Sequence, residues 1–176
     1  HIFRHESGKM IAVLSRLLGL QNLETAHDIV QDTLLQAISS WSYGKLPDNP
    51  EAWLYRVARN KAIDYIRRKK KLQELSPQYA YLLQSEYTLT PTVINLFLEN
   101  EIQDSQLRMM FACCHPSIHP DSQIALTLKT LCGLSTTEIA KAFLTNEETI
   151  SKRIYRAKEK IKAENIELDV PTGKEL

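Results

Sequence analysis

Apolar residues recur every three or four positions along almost the whole chain, and this spacing limits the fold to packed α-helices. Alternating apolar and polar residues, which indicate strands, are nearly absent. The 43% hydrophobic content is enough for a real core. We therefore predict an all-α protein. The first two apolar stripes consist of Ile11, Leu14, Leu17 and Leu18, and of Ile29, Val30, Leu34, Ala37 and Ile38.

Turn-forming residues divide these helices into groups. Gly44 and Pro47 indicate a loop over residues 42–49, and Asn49-Pro50 begins a third helix. Pro77 and Pro91 lie in a stretch of polar character that we predict to be a partly helical linker. A second helical unit is expected to begin near residue 104. The predicted division is a helical bundle at residues 1–71, a linker at 72–103, a second helical domain at 104–163 and a tail at 164–176.

The charges are segregated along the chain. Residues 52–71 contain eight basic residues and one acid, whereas residues 72–107 contain five acids and no base. The net charge is only +1. Positive charge collected in a block is typical of a surface that neutralises phosphates. The alternative is a solvated amphipathic helix with a basic end.

The third helix has two different faces when its residues are placed at 3.6 per turn. One face is predicted to pack inward. The other is polar and basic, with Trp53 beside Asn60, although Ile63 also falls on it. The inward residues are Leu54, Val57, Ala58, Ala62, Tyr65 and Ile66, and the outward residues are Arg56, Arg59, Asn60, Arg67 and Lys70.

Two adjacent helix starts near the C-terminus predict a helix-turn-helix. Ser135 and Glu138 have the spacing of a capping box, and Thr145 and Glu148 repeat it. The preceding helix is expected to be capped by Asp121 or Ser122. The last helix is predicted to bury Ile150, Ile154, Ala157 and Ile161 and to expose Thr149, Lys152, Arg153, Arg156 and Lys160. A basic stripe of this kind fits a DNA major groove, and a purely structural three-helix unit is the alternative.

The cysteine and histidine residues do not form a recognisable metal motif. Cys113 and Cys114 are adjacent and point apart on a helix, while Pro116 separates His115 from His119. We predict buried thiols and a capping histidine, with a zinc-binding site as the alternative. Three cysteines make no disulfide framework, and no membrane-spanning or secretory segment is evident, so a cytoplasmic protein is expected. No catalytic motif can be assigned, and we predict no enzyme activity, no cofactor and no metal.

Three stretches resemble the extracytoplasmic-function (ECF) sigma factors of bacterial RNA polymerase, within the sigma-70 family. AHDIVQDTLLQAISSW resembles the region-two helix that docks on the polymerase, and NPEAWLYRVARNKAIDYIRR resembles the helix that melts and reads the −10 element. LSTTEIAKAFLTNEETISKRIYRAKEKIK resembles the region-four helix-turn-helix that reads the −35 element. RMMFACCHPSIHP is similar to a subgroup with an additional C-terminal domain, so we expect the sequence to be a piece of a longer protein.

The resemblance implies three sets of functional residues. Asn60 would capture a flipped base, in a pocket shared with Trp53 and residues 42–49, although Trp53 is equally well explained as a core residue. Ser151 stands where some family members have arginine, so the preferred −35 sequence cannot be transferred. The sets are Trp53, Arg56, Arg59, Asn60, Arg67 and Arg68 for the −10 element, Thr149, Ser151, Lys152, Arg153, Tyr155 and Arg156 for the −35 element, and Asp28, Gln31 and Asp32 for docking.

The expected partners follow from the same resemblance. They are promoter DNA and core RNA polymerase, contacted at the β′ clamp helices and the β flap, with an anti-sigma factor or a C-terminal regulatory domain as further candidates. The alternative function is a one-component helix-turn-helix regulator with a helical dimerisation or sensing domain, which leaves the basic pattern of residues 53–71 unexplained. The apolar residues of the linker also suggest that the two domains pack together and cover the DNA-reading faces.

Overall fold

A computed structural model of the chain describes residues 2–44, 46–69 and 75–170. Within these ranges the regular secondary structure is helical and contains no strand, which confirms the predicted all-α class. None of the described helices combines the length and apolar content that crossing a membrane requires. The helices are α1 (Ile2–Leu18), α2 (Leu23–Tyr43), α3 (Pro50–Arg68), α4 (Pro77–Ala80), α5 (Glu86–Leu96), α6 (Glu99–Cys113), α7 (Pro120–Thr130), α8 (Thr136–Ala142) and α9 (Glu147–Ala163), with a 3₁₀ turn at Leu20–Asn22.

The predicted linker is more ordered than its polar sequence indicated. It contains α4, α5 and the first turn of α6, and Pro91 lies inside α5. The second helical unit was expected to begin near residue 104, but α6 already begins at Glu99. Tyr79, Leu89 and Val93 are buried, so this segment packs against the rest of the protein rather than only connecting its ends. Lys45, residues 70–74 and residues 171–176, which include parts of the predicted loop, basic helix and tail, lie outside the described ranges.

Helix α1 lies at the centre of the hydrophobic core. Met10, Leu14, Leu17 and Leu18 are completely buried, and the helix is apolar on more than one side. A helix with this character needs neighbours around most of its circumference. It packs against α2 and α3 on the N-terminal side of the chain and against α6 and α7 from the C-terminal half. The two halves therefore share one core.

Ion pairs reinforce the junction between the halves. Arg16 on α1 is only 8% exposed, and its Nη1 lies 2.9 Å from Glu101 Oε2 and 3.0 Å from Asp104 Oδ2, both on α6. A buried guanidinium is tolerated when carboxylates pair with it. Arg4 on α1 also pairs with Glu138. The ionic contacts thus complement the apolar packing of α1.

Two glycines allow the backbones to approach closely at this junction. A Cβ on Gly8 of α1 would lie 2.1 Å from the carbonyl oxygen of Leu131, which follows α7. A Cβ on Gly133 would lie 2.7 Å from Ser7 Oγ, and Gly133 also has a φ of +64°, which disfavours other residues. Close contact between the halves therefore depends on the absence of side chains at these positions.

The packing of the two halves does not cover the predicted DNA-reading side chains as a group. Arg56, Asn60, Arg67, Lys152 and Arg156 are all exposed. The expectation that the halves pack together is consistent with this structure, but the expectation that the packing hides the DNA-reading faces is wrong for these residues. The surfaces that are buried at the junction instead belong to α1, α6 and α7.

Candidate nucleic-acid interface

The basic helix α3 begins where the sequence predicts. The side chain of Asn49 accepts a hydrogen bond of 2.9 Å from the backbone N–H of Ala52, and Pro50 occupies the first helical position. Both are standard features of a helix start, because the cap satisfies a free N–H and proline needs no donor there. Arg67 and Arg68 lie in the last turn, where positive charge is favoured by the helix dipole.

The outward side of α3 carries most of the predicted −10 residues. Arg56, Asn60, Arg67 and Arg68 are exposed, and Arg59 is half-buried. Ile63, which the helical projection placed on this polar side, is only 6% exposed. Helix α5 packs along α3 and widens the buried stripe. The basic face is therefore narrower than predicted and is bordered by the linker.

Trp53 belongs to an aromatic cluster at the edge of the core. Its ring lies 5.4 Å from that of Trp41, in an edge-on arrangement, and Trp41 lies 5.3 Å from Phe3. This geometry supports the alternative in which Trp53 is a packing residue that holds the start of α3. Helix α2 continues to Tyr43, so the predicted loop at residues 42–49 begins later, at Gly44.

The helix-turn-helix is formed by α8 and α9. Ser135 and Glu138 form the predicted capping box at the start of α8, with both reciprocal hydrogen bonds present. At the start of α9 the cap is Asn146, not Thr145, and its side chain accepts a 2.8 Å hydrogen bond from the N–H of Thr149. The turn contains no glycine, and Leu144 adopts the left-handed conformation with a φ of +50°.

Helix α9 buries the face that the sequence predicts, but of its predicted outward residues only Lys152 and Arg156 are fully exposed, and Lys160 is half-buried. Ile150, Ile154, Ala157 and Ile161 are buried, which confirms the inward stripe. Of the predicted −35 residues, the side chains that face solvent are Ser151, Lys152, Tyr155 and Arg156, while Thr149 and Arg153 are half-buried.

A basic groove runs between α9 and the segment that leads into α7. Its volume is about 550 Å³. Four cations line it on the α9 side, and the N-terminal end of α7 closes it opposite them. The four cationic side chains suit a phosphate. The lining residues are Ser117, Ile118, His119, Asp121, Ser122, Thr149, Lys152, Arg153, Arg156, Ala157 and Lys160.

Each basic face contains an arginine that is paired with an acid from another helix. Arg67 of α3 donates Nε–H to Glu86 Oε1 (2.9 Å) and Nη2–H to Glu86 Oε2 (2.8 Å). The hydrogen bonds from Arg67 lower the pKa of the Glu86 carboxyl below its ordinary value, so the acid stays charged to a lower pH. On the second face, Nη2 of Arg153 lies 2.9 Å from Oδ2 of Asp121.

The exposed face of α2 is longer than the predicted docking set. Asp28, Gln31 and Asp32 are exposed, and Leu35 (61% exposed) and Ile38 (49% exposed) continue the same face at helical spacing. Ile38 was predicted to point inward, and that prediction is wrong. Leu35 was missed, although its position three residues after Asp32 would have placed it on this face. The result is an acidic surface with an apolar end.

The family models match the two halves of the chain separately. A model described as Sigma-70 region 2 matches residues 2–72, and one described as Sigma-70, region 4 matches residues 108–161. The chain is 27% identical to the ECF RNA polymerase sigma factor SigW of Bacillus subtilis over 88% of this chain and 81% of that protein. It is 29% identical to the ECF RNA polymerase sigma-E factor of Haemophilus influenzae over 87% of this chain and 79% of that protein.

The chain belongs to the ECF sigma factors of the sigma-70 family. It is also 33% identical to an uncharacterised protein of Rhizobium meliloti over 94% of this chain, but it spans only 38% of the length of that protein. No solved structure matches it. In this sigma factor the region 2 match contains α1, α2 and α3, and the region 4 match extends from within α6 into α9.

His115 and His119 of this sigma factor accept hydrogen bonds from backbone N–H groups. His119 is the N-cap of α7, in place of the predicted Asp121 or Ser122, and its Nδ1 accepts a hydrogen bond from the N–H of Asp121 (3.3 Å). Nδ1 of His115 likewise accepts from the N–H of Ser117 (3.2 Å). In the part of the chain that the structure describes, no three His, Cys, Asp or Glu residues are grouped as a metal site would need.

The prediction of buried thiols is correct for only one cysteine. Cys113 is buried with its Sγ 3.6 Å from Thr130 Oγ1, whereas Cys114 and Cys132 are exposed. Burial raises the pKa of the Cys113 thiol to about 11. The three thiols should therefore differ in reactivity, because the thiolate is the nucleophile.

We expect iodoacetamide at pH 8 to modify Cys114 and Cys132 quickly and Cys113 about 100-fold more slowly, since a pKa two units above the ordinary value lowers the thiolate fraction by that factor. Mass spectrometry of timed samples measures the three rates. The Cys114→Ser/Cys132→Ser variant isolates Cys113, which should react quickly only after unfolding. Fast alkylation of this variant in the native state would show that Cys113 is accessible.

Proposed function

We propose that this chain directs core RNA polymerase to promoters, reads the −10 element with α3 and the −35 element with α9, and assists in melting the duplex. The observation that carries this proposal is the presence of both sigma regions on one chain, each with an exposed basic helix. The one-component regulator is not favoured, because it does not account for the region 2 match over residues 2–72.

The proposed roles of the exposed faces of α3, α9 and α2 follow from their charges. Arg56, Arg59, Arg67 and Arg68 would bind phosphates near the −10 element, and Asn60 would hydrogen-bond an unpaired base. Trp53 would act indirectly, by fixing the start of α3 against Trp41. The proposed −35 contacts are Thr149, Ser151, Lys152, Arg153, Tyr155 and Arg156.

The acidic face of α2 is the proposed polymerase-docking surface. Asp28, Gln31 and Asp32 would meet basic side chains of the β′ clamp helices, and Leu35 would add apolar contact. The β flap is the proposed partner of region 4. We place the protein in the cytoplasm, with no catalysis of its own, and propose domains at residues 1–71 and 104–163 joined by residues 72–103. An anti-sigma factor or a C-terminal domain would act on these same surfaces.

This function requires the two halves to separate. The −10 and −35 elements are about 25 base pairs apart, which corresponds to roughly 85 Å of duplex at about 34 Å per ten base pairs. A compact chain of 176 residues has a radius of gyration of roughly 16 Å and a diameter of roughly 40 Å. One closed molecule cannot span this distance, so the junction around α1 would open when polymerase holds the two regions apart.

Joint docking also explains why two small DNA-binding faces would be sufficient. Each face neutralises only a few phosphates, so by itself it binds weakly and is sensitive to salt. Fixing both on one polymerase raises their effective concentration at the promoter without new contacts. The isolated chain is therefore expected to bind promoter DNA poorly, and the complex with polymerase to bind it specifically.

Reconstitution with core polymerase tests this proposal. The wild-type chain should co-purify with core polymerase and support run-off transcription from its promoter. The Arg56→Ala/Asn60→Ala variant should keep polymerase binding but reduce promoter opening at least tenfold, measured as permanganate reactivity of unpaired thymines. A base contact is worth about 1–3 kcal/mol, and the loss of a phosphate contact weakens binding further.

The matched control changes a cation and an amide outside both faces, in the Lys162→Ala/Asn100→Ala variant, and should open the promoter normally. Both control residues are exposed. Failure of the wild-type chain to bind core polymerase would refute the proposed function, and so would normal promoter opening by the Arg56→Ala/Asn60→Ala variant.

A further inference from the structure

The contact between Arg67 and Glu86 joins the linker to the −10 face, which is the exposed basic side of α3 with Arg56, Asn60, Arg67 and Arg68. Glu86 is the first residue of α5, and both of its carboxylate oxygens accept hydrogen bonds from one guanidinium. The side chains are 47% and 64% exposed. A paired fork of this kind is the geometry with which arginine also binds phosphate. Glu86 therefore occupies the donors that a DNA phosphate would need.

Asp121 makes the corresponding contact on the −35 face, which is the outward side of α9 with Lys152, Arg153 and Arg156. It lies in the first turn of α7 and reaches across the basic groove to Arg153 on α9, at 2.9 Å. Its own side chain is 53% exposed and that of Arg153 is 27% exposed. Asp121 is the one acid among the described residues that line this groove, and it places negative charge where a phosphate would approach.

The other proposed DNA-binding arginines are not held in this way. Among the ion pairs of the described residues, none involves Arg56, Arg59 or Arg156. On each face, one arginine is thus neutralised by an acid from a neighbouring helix while other arginines stay available. Lys152 and Lys160 also pair with acids, but Glu148 lies on the same helix and Glu164 directly follows it. A pair that joins an arginine to an acid from another helix recurs on two faces that are far apart in sequence.

We propose that Glu86 and Asp121 are positioning residues that hold Arg67 and Arg153 away from DNA phosphates and thereby weaken duplex binding by the free sigma factor. This inference rests on the proposed function of the two basic faces. A carboxylate competes directly with phosphate for the guanidinium, and its charge repels phosphates within a Debye length of about 8–10 Å. Exposed ion pairs contribute little to stability, so these pairs open readily when a phosphate of a correctly placed promoter displaces the acid.

The test measures binding of the full chain to a mixed-sequence DNA duplex by fluorescence anisotropy between 50 and 200 mM salt, without polymerase. Glu86→Gln and Asp121→Asn should each tighten binding about three- to tenfold, and each should steepen the dependence of log K on log salt by about one, as expected for one additional phosphate contact. Asp169→Asn is the matched control, because Asp169 pairs with Arg108 at 3.0 Å outside both basic faces and the variant has the same change in net charge.

Measuring Glu86→Gln in an Arg67→Gln background distinguishes competition between Glu86 and phosphate for Arg67 from a general effect of net charge. In Arg67→Gln, the additional Glu86→Gln change should no longer tighten binding, because the arginine that Glu86 holds is gone. An increase that persists in that background overturns the proposal for Glu86. Binding of either single variant equal to that of Asp169→Asn also overturns it, as does a lower melting temperature without tighter binding, which a purely structural pair would produce. Run-off transcription by wild type tests the proposed function separately, so either idea can fail alone.

Discussion

The Asp28→Lys/Asp32→Lys variant is expected to lose at least about 100-fold in affinity for core polymerase. Both acids are exposed on one face of α2, one turn apart. Reversing them replaces two attractions with two repulsions against a basic partner surface, and juxtaposed like charges cost several kcal/mol. Each 1.4 kcal/mol corresponds to a tenfold change in affinity. Capture of labelled core polymerase on immobilised variants measures the effect.

The fold of this variant should be unaffected, because neither acid takes part in an ion pair among the described residues. Thermal unfolding should therefore follow the wild type within about 0.5 kcal/mol, the usual range for exposed substitutions. Glu159→Lys/Glu167→Lys is the control, since both residues are exposed and the change in net charge is identical. Equal loss of binding in both variants would attribute the effect to net charge and remove α2 as the docking surface.

Leu35 provides an independent check of the same face. It is 61% exposed, so its removal should not weaken the core. If the apolar end of the α2 face contacts the polymerase, Leu35→Ala should weaken capture in the same direction as the charge reversals, to a smaller extent.

The Gly8→Ala substitution should separate the two halves of the free protein. The new Cβ would lie 2.1 Å from the Leu131 carbonyl oxygen and 2.9 Å from the Leu131 carbonyl carbon, and neither backbone atom can rotate away. Overpacking of this kind costs about 1–3 kcal/mol and occasionally more. We expect small-angle scattering to show a clear increase in radius of gyration above the roughly 16 Å of a compact chain of this length.

Helix propensity alone predicts the opposite result for this substitution. Alanine stabilises a helix interior by about 1 kcal/mol relative to glycine, so an uncrowded α1 would become more stable. Gly44→Ala controls for a methyl group added outside the junction, because Gly44 directly follows α2 and its Cβ would meet only Ser40 O of that helix, at 3.0 Å. A Gly8→Ala protein that stays compact and melts at a higher temperature would contradict the tight junction. Since the proposed promoter complex already has separated halves, run-off transcription at saturating polymerase should stay close to that of the wild type.

The acid–arginine pairs and the junction act at different levels. The junction would hold the two regions too close together for the two proposed promoter contacts, whereas Glu86 and Asp121 would lower the affinity of each face separately. Breaking the junction should therefore change the shape of the free protein without changing the salt dependence of one face. Removing the acids should change the salt dependence without changing the shape. The scattering and anisotropy measurements distinguish the two effects.

Local features of the sequence were sufficient for much of the fold. The start of α3 at Asn49-Pro50 and the capping box of Ser135 and Glu138 depend on residues within one turn of each other, and the inward stripe of α9 spans about three turns of one helix. Their hydrogen bonds and periodicity are complete within a short stretch of chain. The motifs for the sigma family lie in the same segments, which is why fold class and family could be predicted together.

Contacts between distant segments were decided only by the tertiary structure. Ile63 is buried and Ile38 exposed against their helical projections, because the number of helices packed around α3 and α2 sets how wide each buried stripe is. The burial of Arg16 against Glu101 and Asp104, and the pairing of Arg67 with Glu86, join residues that no local spacing relates. Periodicity tells which residues of a helix can face inward, but the partner that covers them, and the acid that meets a given arginine, depend on how the helices are arranged in space.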